Sequence, residues 1–387
     1  MQATSQNNGV QVAENNPRNG AARTQIVRES VTKLRPYIPG KPIEEVKRDL
    51  GLAPDFPIIK LASNENVLGP SPLAIEAMQR AASEVWLYPD DLCFELKKSL
   101  AAFWNVPEEQ FIIGNGSDEI IHFLALALLD NGDEVIFGEP SFVQYKAAAM
   151  LADCAYHAVP LTPDMRHDLP AMKAKINDNT KLIFIANPNN PTGTVIHHAE
   201  WEEFLQGLPP RVVVVLDQAY YEYVNSPDSP EGLDAVRAGH NVVLLHTFSK
   251  AYALAGLRVG YGISTPELTG YLQQVRGPFN VNLPAQAAAI ASLADEDQVA
   301  SALANNNAGI EQLETAFREL GLTWIPTEAN FILFDCGRDA KTVELELMKR
   351  GVIVRQGFGL PTHIRVTIGT PEMNERFITS LREVLAA

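Results

Sequence analysis

Residues Val212–Asp217 read VVVVLD, four β-branched residues and a leucine closed by an acid. An apolar run without an alternating polar face is the pattern of a strand covered on both sides, as in parallel sheets flanked by helices. Similar runs stand around it. Upstream are FII (Phe111–Ile113), EVIF (Glu134–Phe137) and KLIFIA (Lys181–Ala186); downstream is NVVLLH (Asn241–His246). Helical patterns fill the intervals, so the stretch from about Asp118 to Gly262 predicts an α/β/α domain with a mostly parallel sheet. Beyond Pro284 the text changes to one long Ala-rich helix, Gln286–Leu320, followed by two strand-like runs, NFILFD and GVIVRQ. That predicts a smaller α+β domain.

These patterns divide the chain into a large domain over 61–283 and a small one over 284–387. Residues 28–60 form an N-terminal arm and part of the small domain, with a short helix ending at Gly51. Residues 1–27, rich in Asn, Gln, Ala and Gly and without a hydrophobic period, are expected to be a disordered tail. The 387 residues carry a formal charge of −16, which argues against nucleic-acid or anionic-membrane partners. No apolar run reaches the length of a membrane span. Cys93, Cys154 and Cys336 are widely spaced with no CxxC pair, so neither disulfides nor a zinc site is expected, and the cytoplasm is the expected compartment. The eight histidines show no metal-ligand spacing.

In open α/β sheets, ligands collect at the carboxyl ends of the strands. After FII comes GNGSDE, where Gly116, Ser117 and Asp118 begin a helix whose free N–H groups can hold a phosphate. After KLIFIA comes NPNNPTG, with Asn187 at the strand end. Asp217 closes its strand and Tyr220 follows; a buried acid there demands a cation or a proton donor. After NVVLLH come Thr247, Ser249 and Lys250, then Arg258, which together supply phosphate donors and an amine. Each feature alone is an ordinary turn or surface residue; their order on consecutive strand ends is not.

The Ser-Lys element, the NPNNPTG turn and the D-x-A-Y element resemble the fold-type I pyridoxal-phosphate enzymes, and among them the class I/II aminotransferases. The likeness runs from about Lys33 to the C-terminus. The strings LRPYIPGKPIEEV, LASNEN, YPD, NGSDEII, PFNVN and VRQGFGLPTHIRVTIGT are most similar to the branch acting on histidinol phosphate. The resemblance implies pyridoxal 5′-phosphate as cofactor, held by Lys250 as a Schiff base, with Asp217 on the pyridine nitrogen. It implies Asn187 and Tyr220 on the phenolic oxygen and Phe142 stacked on the ring. The phosphate would meet Gly116, Ser117, Asp118, Thr247, Ser249 and Arg258, with Tyr88 reaching it from the second subunit of a homodimer. Arg365, with Arg355 assisting, would take a substrate carboxylate or phosphate, and Tyr37 and Asn64 would shape the substrate end. The expected reaction is ping-pong transfer between histidinol phosphate and glutamate/2-oxoglutarate. An aromatic amino-acid aminotransferase or a threonine-phosphate decarboxylase-like enzyme would share most of these motifs. Val67, Phe142 and Gly277 depart from the usual pattern of that branch.

Overall fold

The computed structural model describes residues 26–34, 36 and 40–386, so nearly all of the expected tail lies outside the described residues. The large sheet is built from β1 (Phe111–Gly114), β2 (Glu134–Glu139), β3 (Ala155–Pro160), β4 (Thr180–Ala186), β5 (Val213–Asp217), β6 (Val242–Thr247) and β7 (Gly260–Ile263). Its order is β1-β7-β6-β5-β4-β2-β3, and only β7 runs against its neighbours. The five runs read from the sequence are all strands here. The two additions are β3, an edge strand in which only Val159 is buried, and β7, whose two glycines dilute the apolar signal.

Side chains alternate across this sheet as the pleat requires. Val214 and Leu216 face one core with Trp104, Phe204 and Leu244; Val213 and Val215 face the other with Ile120, Tyr145 and Leu245. The helices Pro72–Ala81, Phe94–Trp104 and Leu283–Leu293 cover the first face, and Ser117–Leu128 and Pro266–Val275 the second. Burial on both faces accounts for the absence of a polar stripe in β4, β5 and β6.

The Ala-rich stretch is not one helix. It breaks at Ala294–Asp295 into Leu283–Leu293 and Glu296–Glu319, because Asp295 caps the second helix, accepting from the Gln298 N–H at 3.2 Å. The Ser71 hydroxyl also donates to Asp295. Ala285, Ala288 and Ala289, before the break, belong to the core of the large sheet, while beyond it the chain builds a second hydrophobic body. That body holds the antiparallel strands β8 (Thr323–Ile325), β9 (Phe331–Asp335) and β10 (His363–Thr367) in the order β10-β9-β8, around Phe317, Phe334 and Phe377. The arm helix Ile43–Leu50 ends at Gly51, as its sequence indicated. After it, Ile59–Lys60 pairs in parallel with Val352–Ile353, and Leu61 is clamped between Ile353 and Thr367 by backbone hydrogen bonds of 2.7 and 2.9 Å. Among the described residues no helix is long and apolar enough to cross a membrane.

Candidate active site

A cavity of about 240 Å³ opens at the carboxyl ends of the parallel strands. The turns after β1, β2, β5 and β6 supply Ser117, Asp118, Phe142, Asp217, Tyr220, Ser249 and Lys250. Because β7 is antiparallel, Arg258, two residues before its start, is delivered to the same edge. The opposite wall comes from Ser63 and Asn64 and from Arg355, Phe358 and Arg365 of the second body.

One end of the cavity is built for an anion. Gly116 caps the helix Ser117–Leu128, whose first N–H groups have no partner within the helix. A Cβ on Gly116 would stand 2.6 Å from Arg258 Nη2, so this bare backbone lets the guanidinium close over the turn. Arg258 Nη1 donates to Ser249 Oγ at 3.3 Å, and its Nη2 lies 3.6 Å from Asp118 Oδ2. Thr247 Oγ1 accepts from the Ser249 N–H at 3.1 Å, fixing the start of the turn. A phosphate there would meet backbone N–H groups, hydroxyls and a guanidinium.

At the floor, Asp217 is 5 % exposed. Burial pushes its carboxyl up to about 6, against the hydrogen bonds from the Tyr145 hydroxyl and the Ala219 N–H, which favour the anion. Those bonds are 2.7 Å to Oδ2 and 3.2 Å to Oδ1. Tyr145 is fully buried, stacked on Phe184 with ring centroids 4.5 Å apart and edge-on to Phe142 at 5.7 Å. Sequence reasoning missed it, since EPSFVQYKAAAM gives Tyr145 the look of a core position in the helix Val143–Leu151. The signal was its spacing, three residues after Phe142, which puts both rings on one helix face.

Lys250 Nζ donates to the Ser63 carbonyl at 3.2 Å and lies 5.5 Å from the Tyr220 ring centroid. The Tyr220 hydroxyl accepts from Asn64 Nδ2 at 2.8 Å. Arg365, 7 % exposed, donates through Nη2 to the Ala62 carbonyl at 2.8 Å and through Nη1 to Asn190 Oδ1. The rings of Phe331 and Phe358 flank its guanidinium at 5.1 and 5.2 Å. Reciprocal backbone bonds of 3.1 and 2.7 Å pair Arg355 with Arg365, and both side chains line the cavity.

Asn187 is corrected by the structure. Its Nδ2 donates to Ser229 Oγ at 3.0 Å and its Oδ1 accepts from the Ile196 N–H at 2.9 Å, so the amide braces the turn and does not line the cavity. Asn190, in the same turn, lines it instead. Only the strand end was weighed in the sequence, whereas the turn carries the chain back and brings its fourth residue to the cavity. Tyr88 lies outside the cavity as well, 80 % exposed and stacked on Phe279 at 4.7 Å. The expectation for Tyr37 falls outside the described residues. Thr247 and Phe142 line the cavity. Among the described residues no group of three or more His, Cys, Asp or Glu could hold a metal ion. The anion cradle, the buried acid and the lysine amine fit the phosphate, the ring nitrogen and the aldehyde of pyridoxal phosphate by their chemistry.

Residues 57–381 match the family model described as aminotransferase class I and II. A histidinol-phosphate aminotransferase of Moorella thermoacetica is 51% identical over 362 residues, covering 93% of this chain and 93% of that protein. One of Akkermansia muciniphila is 48% identical over 359 residues, covering 92% of this chain and 98% of its own. Among solved structures, the histidinol-phosphate aminotransferase of Sinorhizobium meliloti in complex with pyridoxal-5′-phosphate superposes with a TM-score of 0.86 at 27% identity, over 94% of this chain and 99% of that one.

Proposed function

The chain belongs to the class I and II aminotransferases, and from that premise we propose that it transfers the amino group of L-histidinol phosphate to 2-oxoglutarate. The products are imidazole acetol phosphate and glutamate, formed reversibly in a ping-pong cycle of histidine biosynthesis. The observation that carries this reading is the convergence of a buried acid, a lysine amine and two anion sites on one cavity.

Pyridoxal phosphate, when bound, supplies the electron sink that lets a substrate Cα–H bond break. Lys250 would anchor it, and its amine, once free, would carry the proton that the substrate α-carbon gives up. Asp217, its carboxyl held in place by the Tyr145 hydroxyl, would pair with the ring nitrogen and favour its protonated form. Tyr220 would donate to the cofactor's phenolic oxygen, and Phe142 would cover its ring face. Gly116, Ser117, Asp118, Thr247, Ser249 and Arg258 hold the phosphate. Arg365, assisted by Arg355, takes the phosphate of one substrate and the distal carboxylate of the other, since a planar guanidinium forks onto either. Asn64 borders the substrate end.

The reading extends to a homodimer in which Tyr88 of one copy completes the phosphate site of the other. Support comes from the exposed run Val85, Trp86, Leu87, Tyr88, Leu92 and Phe94, which a second copy would cover. The three cysteines are free thiols, in keeping with a cytoplasmic enzyme.

Steady-state kinetics on the cofactor-loaded enzyme test the substrate. The expected result is a higher kcat/KM for histidinol phosphate with 2-oxoglutarate than for phenylalanine or tyrosine, with glutamate as product. A preference for the aromatic amino acids, or carbon dioxide release in place of glutamate, overturns it.

A further inference from the structure

Thr367 lies in β10, outside the set of groups that would touch cofactor or substrate, yet it ends a buried hydrogen-bond chain that enters the cavity. Its Oγ1 accepts from the Asn64 N–H at 3.0 Å and donates to Asn64 Oδ1 at 3.1 Å. Asn64 Nδ2 in turn donates to the Tyr220 hydroxyl at 2.8 Å. Asn64 and Thr367 are each 1 % exposed and Tyr220 is 4 % exposed, so water does not substitute for these partners. We propose that Thr367 is a positioning residue: through the Asn64 amide it fixes the direction of the Tyr220 hydroxyl proton.

The argument rests on the two-fold ambiguity of an amide. Turned end for end, an asparagine side chain occupies the same space but exchanges a donor for an acceptor. The Thr367 oxygen accepts the Asn64 N–H, and its proton finds its acceptor in the amide oxygen, which a reversed amide would take away. The amide nitrogen then faces Tyr220 and fills its acceptor site, leaving the phenolic proton to be donated into the cavity. A reversed amide would accept that proton itself, and Tyr220 would have nothing to give. The left-handed backbone of Asn64, at φ 55°, is what lets its N–H and its side chain both reach Thr367.

Arg365 stands two residues before Thr367 and therefore on the same face of β10. It holds the Ala62 carbonyl, while Asn330 Nδ2 holds the Asn64 carbonyl at 3.1 Å. The strand that grips the substrate anion thus also braces the 62–64 segment that orients Tyr220. The inference rests on the cofactor assignment above, in which the phenolic oxygen of pyridoxal phosphate accepts the Tyr220 proton. A donor at that oxygen favours its anion. It therefore lowers the pH midpoint at which the visible band of the lysine-bound cofactor changes. Lys250, Arg258, Arg355, Arg365, Asp118 and Asp217 are the charged groups that line the cavity among the described residues, and none is altered in the test.

The test is a pH titration of the visible band in the holoenzyme. Thr367→Val is expected to raise the midpoint by roughly half a unit or more, in the same direction as Tyr220→Phe. Thr367→Ser is expected to restore the wild-type midpoint, and the Thr367→Val, Tyr220→Phe double variant to go no further than Tyr220→Phe alone. Should the valine variant not accumulate, Thr367→Ala removes the same hydroxyl and is read in the same way. A midpoint unmoved in Thr367→Val while Tyr220→Phe shifts it, or additive shifts in the double variant, overturns the proposal and leaves the cofactor assignment standing. A wild-type protein that develops no visible band with pyridoxal phosphate overturns the assignment and the proposal together.

Discussion

Gly116 holds φ 79° and ψ 165°, a backbone region that only glycine enters without strain. Gly116→Ala therefore meets two penalties, a backbone cost of about 1–3 kcal/mol and a Cβ driven into Arg258. The expected outcome is a weaker hold on pyridoxal phosphate at nearly unchanged kcat in saturating cofactor, measured by equilibrium titration of the visible band; unchanged affinity would refute the cradle. Asp217 makes the opposite trade. Its carboxyl lies at about 6 instead of 3.8, so between those values the folded chain binds more protons than the unfolded one. Stability from this group is therefore lost as pH rises through that window and stays lost above it. In cofactor-free protein, Asp217→Asn should raise Tm near neutral pH by a gain of up to roughly 3 kcal/mol, fading as the pH falls toward about 4. The same variant should lose transamination. A Tm difference independent of pH would contradict the assignment. Lys250 and Asp217 stand out in the sequence because they lie at or just after the ends of recognisable strands, and Arg258 because it follows Lys250 by eight residues. Tyr145 and Asn190 do not, since a buried ring in a helix and the third asparagine of a turn show their place at the cavity only once the chain has folded.

Strand β7 does its work by direction. Running antiparallel between β1 and β6, it places Arg258 beside the turn after β1, and at its first residue it passes against that turn. A Cβ on Gly260 would stand 2.6 Å from the Ser117 nitrogen and 2.9 Å from the His246 oxygen, and neither is a side chain that can swing aside. Gly260→Ala should force β7 away from the helix N-terminus, lowering Tm by several degrees, as expected for overpacking of about 1–3 kcal/mol, and weakening cofactor binding at the same time. Loss of Tm with full cofactor affinity would show that the contact is structural only. The glycines that make this approach possible are the reason β7 carried no strand signal. Periodicity revealed the five continuous apolar strands but not a strand built for closeness. Likewise the Ala-rich run gave helix throughout, and only the Asp295 cap, with Ser71 donating to it from a distant part of the chain, reveals the break.

Across the whole molecule, the charge of −16 and the chemistry of the cavity point in opposite directions. Lys250, Arg258, Arg355 and Arg365 line the cavity against only Asp118 and Asp217, so the local balance is cationic inside an acidic surface. Two such chains repel at long range, and self-association has to come from short-range apolar contact. The run from Val85 to Phe94 offers it, with Trp86 79 % and Tyr88 80 % exposed. The ion pair of Arg276 with Asp91, at 2.8 Å, stiffens its base, and Asp91 also accepts from the Phe279 N–H next to the Tyr88 ring. Placing two carboxylates on this surface with Trp86→Glu and Leu92→Glu sets desolvation and repulsion against the same contact. Sedimentation should then fall from twice the 42.4 kDa chain mass to a single chain mass. If Tyr88 completes the neighbour's phosphate site, the separated chains should also bind pyridoxal phosphate about tenfold less tightly or worse, a loss of roughly 1.4 kcal/mol. Tyr88→Phe should reproduce part of that loss without separating the chains. A wild-type protein that sediments as a single chain, or a separated variant with full cofactor affinity, would mean that one copy holds a complete site and that the apolar run serves another contact.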